Sequence, residues 1–229
     1  MNCQNNRRHT IDMVDQQSRI IIFSGGELTT SALTDIEPED FIIGVDRGAA
    51  FLMEHQIHMH IAVGDFDSVT KETKEQIASI SDRFIDCDPI YKDLTDTEMA
   101  LELALEHNPS SIVIHGALGT RIDHSLSNIH LLRRTLEAGT QCTLVDPHNE
   151  ITIMDASRPY HVKRTSFTYV SLLPLSLQVT GVSLEGFRYP LHQATLTIGK
   201  SLSVSNELTA DVGTITITDG LLLIMSTKD

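Results

Sequence analysis

The stretch FIIGVDRGAAFLMEHQ (residues 41–56) joins two patterns that together decide the fold class. Its opening run, FIIGVD (41–46), is short and apolar up to its final aspartate, which is typical of a strand that is buried on both faces. The GAAFLMEHQ that follows (48–56) is typical of a helix. A strand that leads directly into a helix is the repeating unit of an α/β fold.

The same alternation extends in both directions from this stretch. Further strands are predicted at RIIIFSGG (19–26), where two glycines end the strand, and at IAVGD (61–65), SSIVIHG (110–116) and QCTLVD (141–146). Strands that alternate with helices form a mostly parallel sheet covered by helices.

Two further helices carry signals for their boundaries. TDTEMALELALEH (95–107) begins with Thr95 and Glu98 at the spacing of a capping box. DHSLSNIHLLRRTLEAG (123–139) ends in a glycine, which is typical of a helix C-terminus. Apolar residues recur on one face of this second helix, at Leu126, Ile129, Leu132 and Leu136.

The pattern changes after residue 155. Short segments rich in Thr, Val, Ile and Leu are separated by Gly and Pro, and TITITDGLLLIM (214–225) is predicted to be a hairpin with Asp219 and Gly220 as its turn. The predicted fold class is α/β, with an N-terminal mostly parallel sheet and flanking helices followed by a C-terminal all-β sandwich. The expected division is a flexible extension at 1–18, an α/β domain at 19–154, and a β-sandwich at 155–229.

Composition limits the classes of partner. The 229 residues include 17 Lys and Arg against 31 Asp and Glu, a net charge of −14, and no basic run reverses that sign locally. Such a chain repels nucleic acid and anionic membranes, so we expect neither as a partner. No apolar run approaches the roughly 20 residues of a membrane helix, and the N-terminus lacks the apolar core of a secretory signal. Three cysteines without a CxxC spacing indicate a reducing compartment, and we expect a cytoplasmic protein.

Acidic residues follow several predicted strands or open the helices after them. Ligands of open α/β sheets bind beyond the carboxyl ends of the strands, so these side chains should face one edge. Converging carboxylates raise each other's pKa, unless a hard cation such as Mg²⁺ lies between them. A single Asp in such a place is better explained as a turn former or helix N-cap, and the metal is favoured only for the whole set. Its members are Asp46, Asp65, Asp67, Asp93, Asp96 and Asp123.

The spacing of Asp65 and Asp67 adds a local argument. Two residues apart on an extended segment, their side chains are expected to project to the same side, and Gly64 allows a tight turn before them. Arg121 lies in a glycine-bearing turn ahead of a helix, which is typical of a phosphate site. Arg47 and Lys92 each adjoin one of the aspartates. The alternative is that these cations are ordinary surface charges.

Seven motifs, taken together, resemble those of one enzyme family, the thiamine pyrophosphokinases. The first four, in order, are similar to successive motifs of the catalytic domain, and the last three are similar to the second domain. They are GVDRGAAFL (44–52), AVGDFDSV (62–69), KDLTDTEMAL (92–101), GALGTRIDHSLSNIHLL (116–132), LEGFRYPL (184–191), SVSNE (203–207) and GLLLIMS (220–226).

The resemblance implies a homodimer that uses Mg²⁺ and moves a diphosphoryl group from ATP to the hydroxyl of thiamine, giving thiamine diphosphate and AMP. It also implies that the α/β domain at 19–154 binds ATP and magnesium, and that the β-sandwich at 155–229 serves thiamine binding and dimerisation. Asp96 or Asp123 would accept the hydroxyl proton. Matched motif by motif, the implied roles are metal binding by Asp46, Asp65, Asp67 and Asp96, catalysis by Asp65, Asp67, Asp96 and Asp123, ATP binding by Arg47, Lys92, Asp93, Thr97 and Arg121, and thiamine binding by Asp123, Ser205 and Asn206.

The chain departs from the family pattern in two respects. Thr120 stands where a second glycine often precedes the arginine of the fourth motif, and a β-branched residue disfavours positive φ, so the loop is expected to differ there. The chain also has no Trp, so any aromatic that stacks on thiamine must be Phe or Tyr. Two other functions stay open at this point: a metal-dependent nucleotide phosphohydrolase, and a thiamine-binding protein of the same fold without catalysis.

Overall fold

The computed structural model describes residues 19–87 and 94–229, which form thirteen strands, four α-helices and one 3-10 segment. The strands are β1 (Arg19–Phe23), β2 (Phe41–Val45), β3 (Met59–Gly64), β4 (Ser81–Asp86), β5 (Ser111–His115), β6 (Gln141–Val145), β7 (Asn149–Met154), β8 (Tyr160–Lys163), β9 (Tyr169–Pro174), β10 (Gln178–Glu185), β11 (Ala194–Thr197), β12 (Val212–Thr216) and β13 (Leu222–Thr227). The helices are α1 (Arg47–Glu54), α2 (Lys71–Ser79), α3 (Asp96–Glu106) and α4 (Ile122–Glu137), and the 3-10 segment is Thr30–Asp35.

Nine strands form one sheet in the order β4-β3-β2-β1-β5-β6-β7-β13-β9. The six strands from β4 to β6 pair in parallel, and β7, β13 and β9 continue the sheet with antiparallel pairing. The predicted parallel sheet is therefore confirmed. Chain order runs outward from β1 to β4 and then returns to β5 on the other side of β1. The boundary between β1 and β5 is thus a topological switch point, where α/β sheets form a crevice at the carboxyl ends of their strands.

Strand β1 shows why the central strands are apolar throughout. Ile20 and Ile22 pack into a cluster with residues of α3 and α4, whereas Ile21 and Phe23 pack on the opposite face with residues of α1 and α2. All four side chains are fully buried. Alternate residues of a strand point to opposite faces, so a strand covered on both sides needs an unbroken apolar run.

The C-terminal sandwich is also confirmed, and one of its layers belongs to the large sheet. Strands β11, β10, β12 and β8 form a four-stranded antiparallel sheet in that order. Its Val179 and Ile215 pack in one apolar cluster with Leu172 of β9 and Ile224 of β13. Because β9 and β13 pair within the nine-stranded sheet, the core of the sandwich is continuous with the α/β part. A domain boundary at residue 154 stays a prediction.

The predicted hairpin at residues 214–225 is wrong. Strand β12 pairs with β8 and β10, whereas β13 pairs with β7 and β9 in the other sheet. The reason lies between them: the N–H of Thr218 donates to the carbonyl of Thr180 at 2.8 Å, and the N–H of Thr180 donates to the carbonyl of Asp219 at 3.0 Å. These bonds hold the connection against β10, so the chain crosses from one layer to the other instead of reversing.

The predicted apolar face of α4 is correct only in its later turns. Leu132 is buried, and Ile129 and Leu136 pack partly buried against the core. Leu126 is 50% exposed. The first turns of α4 extend past the sheet and line an open cleft at the carboxyl ends of its strands, so they are not covered there. Among the described residues, none of the helices has the length and apolar character that crossing a lipid bilayer demands.

Candidate active site

A cleft of about 990 Å³ opens at the switch point of the large sheet. It is bounded by the loops after β1, β2, β3 and β5 and by the first turns of α1, α3 and α4. Small-molecule sites of proteins usually enclose about 300–1,000 Å³, so this cleft is large enough for a nucleotide with a second substrate. The sequence-predicted residues that line it are Asp46, Arg47, Asp65, Asp67, Asp96, Thr97, Arg121 and Asp123.

Asp46 lies at the junction of β2 and α1 and has an unusual backbone, with φ 47° and ψ −114°. Its amide donates to the carbonyl of Val63 at 3.1 Å, and its carboxylate Oδ1 accepts from the amide of Phe66 at 3.0 Å. Burial raises the pKa of Asp46 from 3.8 to about 7, and the nearby carboxylates of Asp96 and Asp65 add to that rise. The hydrogen bond from the N–H of Phe66 lowers the pKa of Asp46 and offsets part of that rise. Asp46 also shares a side-chain hydrogen bond with Asp96, so carboxylates from two separate segments are in contact.

Asp65 and Asp67 lie in a tight turn, so the expected extended segment is wrong. Phe66 between them has φ 52°, and its buried ring stacks on Phe84 with 4.8 Å between centroids. The amide of Asp67 donates to Oδ1 of Asp65 at 3.2 Å. Short polar side chains favour such turns, because they bond the backbone two residues later. Both aspartates still line the cleft, Asp65 half-buried and Asp67 exposed.

The start of α3 carries Asp96 and Thr97 into the cleft. Thr95 caps the helix, since its Oγ1 accepts from the amide of Glu98 at 3.2 Å. The buried hydroxyls of Thr97 and Ser24 are 2.5 Å apart and tie α3 to the end of β1. Half of the predicted capping box is therefore confirmed, while the carboxylate of Glu98 lies 3.6 Å from Arg134. The hydroxyl of Thr97 holds the helix in place in this structure.

The loop before α4 is shaped by two polar side chains of that helix. Buried Asn128 donates to the carbonyl of Ala117 at 2.7 Å, and the hydroxyl of Ser125 donates to the carbonyl of Arg121 at 3.1 Å. Thr120 is not among the described residues with positive φ, so its β-branched side chain fits the loop without strain there. The loop therefore reaches the helix start in a conformation that needs no second glycine at Thr120.

Arg121 and Asp123 form an exposed ion pair at the rim. Arg121 Nη2 lies 2.7 Å from Asp123 Oδ2, and both side chains are 67% exposed. The hydrogen bond from Arg121 lowers the pKa of Asp123 and in return the pKa of Arg121 is raised. A long exposed guanidinium at a helix N-terminus is free to re-pair with a phosphate.

The donor set fits a magnesium ion that is shared with a ligand. Within residues 19–87 and 94–229, no three His, Cys, Asp or Glu side chains are grouped so that they could hold a metal by themselves. Mg²⁺ commonly takes only one or two carboxylates and completes its octahedron with water and substrate phosphates. The contact between Asp46 and Asp96 offers carboxylate oxygens that line the cleft, and a bound cation would lower the raised pKa of Asp46.

The remaining predicted residues lie elsewhere. Lys92 and Asp93 fall outside the described residues. Ser205 is exposed with φ 58°, and Asn206 is 4% exposed with its carboxamide bonded to the backbone of Tyr189 in both directions, at 3.0 and 2.8 Å. In the part of the chain that the structure describes, Ser205 and Asn206 are not among the residues that line the acidic cleft. Their contact with thiamine stays a prediction.

The loop after β1 is the part of the cleft that the sequence reasoning missed. Ser24, Gly25, Gly26 and Glu27 line it, and the amide of Gly26 donates to the carbonyl of Gly116 at 2.9 Å across the switch point. From the sequence, Gly25 and Gly26 are predicted only to end the strand. Their place after the first strand of an α/β unit, where ligands approach the backbone closely, is the signal that would have found them.

Both parts of the chain are similar to known proteins of one family. Residues 34–144 match the family model of the thiamin pyrophosphokinase catalytic domain, and residues 160–222 match that of the thiamin pyrophosphokinase vitamin B1 binding domain. The chain is 34% identical over 190 residues to the thiamine pyrophosphokinase of Bacillus subtilis (strain 168), which covers 82% of this chain and 87% of that protein.

Solved structures show the same arrangement of both layers. The crystal structure of thiamine pyrophosphokinase from Bacillus subtilis superposes with a TM-score of 0.85 at 32% identity, over 93% of this chain and 100% of the other. That of thiamin pyrophosphokinase from Geobacillus thermodenitrificans gives 0.81 at 32% identity, over 92% and 98%. With both family domains matched in order and a relative above 30% identity along most of its length, the chain belongs to the thiamine pyrophosphokinase family.

Proposed function

We propose that this protein is a thiamine pyrophosphokinase that transfers a diphosphoryl group from ATP to the hydroxyl of thiamine, producing thiamine diphosphate and AMP. The observation that carries the proposal is the convergence of Asp46, Asp65, Asp67 and Asp96 on one cleft at the switch point of the sheet. Diphosphoryl transfer depends on positioning and charge neutralisation more than on covalent chemistry. A large acidic cleft with arginines at its rim is suited to both.

Magnesium is the proposed cofactor, held by Asp46, Asp65, Asp67 and Asp96 together with phosphate oxygens and water. When bound, the ion would neutralise charge on the triphosphate and on the departing AMP. The contribution of the chain is to hold carboxylates from β2, β3 and α3 within one site before a ligand arrives. Because the raised pKa of Asp46 opposes ionisation, cation binding must displace its proton.

ATP is proposed to bind along the helix starts of the cleft. Arg47 opens α1 and Arg121 precedes α4, so each is a cationic residue at the N-terminal end of a helix that lines the cleft. Such an N-terminus attracts phosphate through its amides and its dipole. Thr97 would take part through the amide-rich first turn of α3, and Lys92 and Asp93, outside the described residues, remain in the proposed set.

Asp96 and Asp123 are the two proposed proton acceptors for the hydroxyl of thiamine. Asp96 contacts Asp46 inside the cleft, whereas Asp123 is paired with Arg121 at the rim, and that hydrogen bond lowers the pKa of Asp123. Asp123 is also proposed to orient thiamine there.

A homodimer is proposed in which the loop of one protomer completes the cleft of the other. Exposed apolar side chains flank Ser205 and Asn206, with Leu202 64% and Val204 45% exposed. Others lie at the start of α4, where Ile122 and Leu126 are 73% and 50% exposed. Burying these two surfaces against each other would place the proposed thiamine residues beside the acidic cleft. We further propose a cytoplasmic location, because the three cysteines of the sequence lack the spacing of a disulfide framework.

Turnover of ATP and thiamine with Mg²⁺, followed by chromatography of the nucleotides, tests the reaction. AMP and thiamine diphosphate in equal amounts support the proposal. ADP would refute diphosphoryl transfer, phosphate release without thiamine would indicate a phosphohydrolase, and tight thiamine binding without turnover would indicate a non-catalytic protein.

Asp65→Asn tests the assignment of the site. We expect kcat/KM to fall at least about 100-fold with little change in stability, because a group that stabilises developing charge is commonly worth that much. Asp211→Asn, which removes an exposed carboxylate from the loop immediately before β12, is the matched control. An equal loss of stability and activity in Asp65→Asn would mean that the residue has only a structural role.

A further inference from the structure

Gly64, the last residue of β3, lies directly against the carboxylate of Asp46. Its φ is 154°, a region that side-chain-bearing residues rarely adopt. A Cβ on Gly64 would be 2.0 Å from Oδ1 of Asp46, 2.6 Å from its Cγ and 3.2 Å from its amide nitrogen. The space that the carboxylate of Asp46 occupies is therefore the space that any side chain at residue 64 would fill.

The backbone of Gly64 is anchored on both sides. Its carbonyl accepts from the amide of Cys87 at 2.8 Å, and β3 pairs with β4 in a register that sets Gly64 opposite Asp86. The carbonyl of the preceding Val63 accepts from the amide of Asp46 at 3.1 Å. Because these bonds belong to the sheet, a side chain at residue 64 cannot be relieved by a shift of the strand alone. The softer element is the carboxylate of Asp46, which can rotate away.

Rotation would remove what orients that carboxylate. Oδ1 of Asp46 accepts from the amide of Phe66 at 3.0 Å, and the same side chain shares a hydrogen bond with Asp96. A side chain at residue 64 would drive Oδ1 from the Phe66 amide and separate Asp46 from Asp96. The change would be confined to the acidic site, while the β3–β4 pairing stays.

We propose that Gly64 is a positioning residue for the reaction: the absence of a side chain there is what lets the carboxylate of Asp46 lie beside Asp96, under the amide of Phe66. This inference rests on the proposed function for its catalytic consequence. Its structural part, the exclusion between a side chain at residue 64 and the carboxylate of Asp46, holds for the protein without ligands.

A double-mutant cycle of Gly64→Ala and Asp46→Ala tests the inference. In the metal-free protein, Gly64→Ala should lower the urea midpoint more in the wild-type background than in the Asp46→Ala background, because the second background has no carboxylate to displace. Gly139→Ala and Gly199→Ala are matched controls: both glycines have positive φ, but a Cβ would meet no atom within 4 Å. They report the backbone strain without the collision.

Binding and turnover give the second readout. Gly64→Ala should weaken Mn²⁺ binding about 10- to 100-fold, as loss of a group that orients metal ligands does. It should lower kcat/KM about 100-fold, the effect of a misplacement near 1 Å. In the Asp46→Ala background, neither quantity should fall appreciably further. The glycine controls should bind Mn²⁺ as the wild type does.

The outcomes distinguish a role of Gly64 in placing the carboxylate of Asp46 from a role in the backbone alone. If Gly64→Ala does not fold but the double variant does, the collision with Asp46 is supported. If neither folds, or if the two substitutions are additive in urea and in Mn²⁺ affinity, Gly64 serves only the backbone and the inference is overturned. If the wild type makes no AMP while the urea cycle shows coupling, the proposed function fails and the exclusion between Gly64 and Asp46 stands.

Discussion

Replacing Asp46 by Asn should make the metal-free protein more stable at neutral and alkaline pH, although it removes activity. Burial, with the neighbouring Asp96 and Asp65, raises the pKa of Asp46 from 3.8 to about 7. A carboxyl group with a raised pKa in the folded state holds its proton more tightly there than in the unfolded chain. Its ionisation therefore destabilises the fold increasingly between about pH 4 and pH 7 and by a constant amount above that.

The size of the effect follows from that shift. A rise from 3.8 to about 7 corresponds to at most about 4 kcal/mol at pH 8, at about 1.4 kcal/mol for each pH unit. Asp46 is only half-buried, so solvent screening reduces this, and we expect Asp46→Asn to gain about 2 kcal/mol. Asn keeps an oxygen acceptor for the amide of Phe66, now 3.0 Å from Oδ1, so that hydrogen bond survives.

Urea unfolding in EDTA at pH 5, 6, 7 and 8 measures the difference between the two proteins. The urea midpoint of Asp46→Asn should exceed that of the wild type by an amount that grows from pH 5 to pH 7 and then levels off. In a parallel series with Mg²⁺ in place of EDTA, the ion should raise the midpoint of the wild type more than that of the variant. Asp211→Asn controls for the loss of one surface charge. A variant that is less stable than the wild type at pH 8, or one whose advantage does not depend on pH, would refute the electrostatic reasoning.

Three other substitutions or probes report on neighbouring features. Asp35→Asn should make the free energy of unfolding fall less steeply as the pH is lowered. The hydrogen bond with His115 lowers the pKa of Asp35, so the stabilisation by its carboxylate is present above about pH 4 and is lost as the pH falls through the folded-state pKa. Urea midpoints from pH 3 to pH 6 would show the difference. Asn128→Ala should cost about 1–3 kcal/mol in urea unfolding and raise the KM for ATP, since it leaves a loop carbonyl without its buried donor. Burial raises the pKa of Cys142 to about 12, so mass spectrometry should find it unlabelled by thiol reagents in the folded protein and labelled once urea unfolds it.

The parallel part of the fold could be predicted because each central strand is covered on both faces. The run Ile20 to Phe23 must be apolar throughout for this reason, and it is unmistakable in the sequence. The edge to which the acidic residues belong follows equally, because the carboxyl ends of parallel strands share one side of a sheet. Asp46 and Asp65 were therefore predictable neighbours without any knowledge of their side-chain contacts.

The sandwich was less predictable at the level of pairing. Thr214 to Met225 has the alternation and the Asp-Gly turn of a hairpin, and local sequence favours that reading. What separates the two strands is a pair of backbone hydrogen bonds to Thr180, more than thirty residues earlier in the chain. Backbone groups of Thr180 leave no trace in residue types near Asp219, so no local pattern could have revealed the crossover.

The same limit applies to the acidic site, whose strain does not follow from the types of its residues. Residue types predict that carboxylates meet, but the energy of their meeting depends on the left-handed backbone of Asp46 and on the missing side chain at Gly64. Asp46 and Asp96 share a hydrogen bond, which two carboxyl groups form only when a proton lies between them. The fold thus gives up stability to keep these carboxylates together, and the negative charge that destabilises the free protein is the one that the proposed magnesium ion would neutralise.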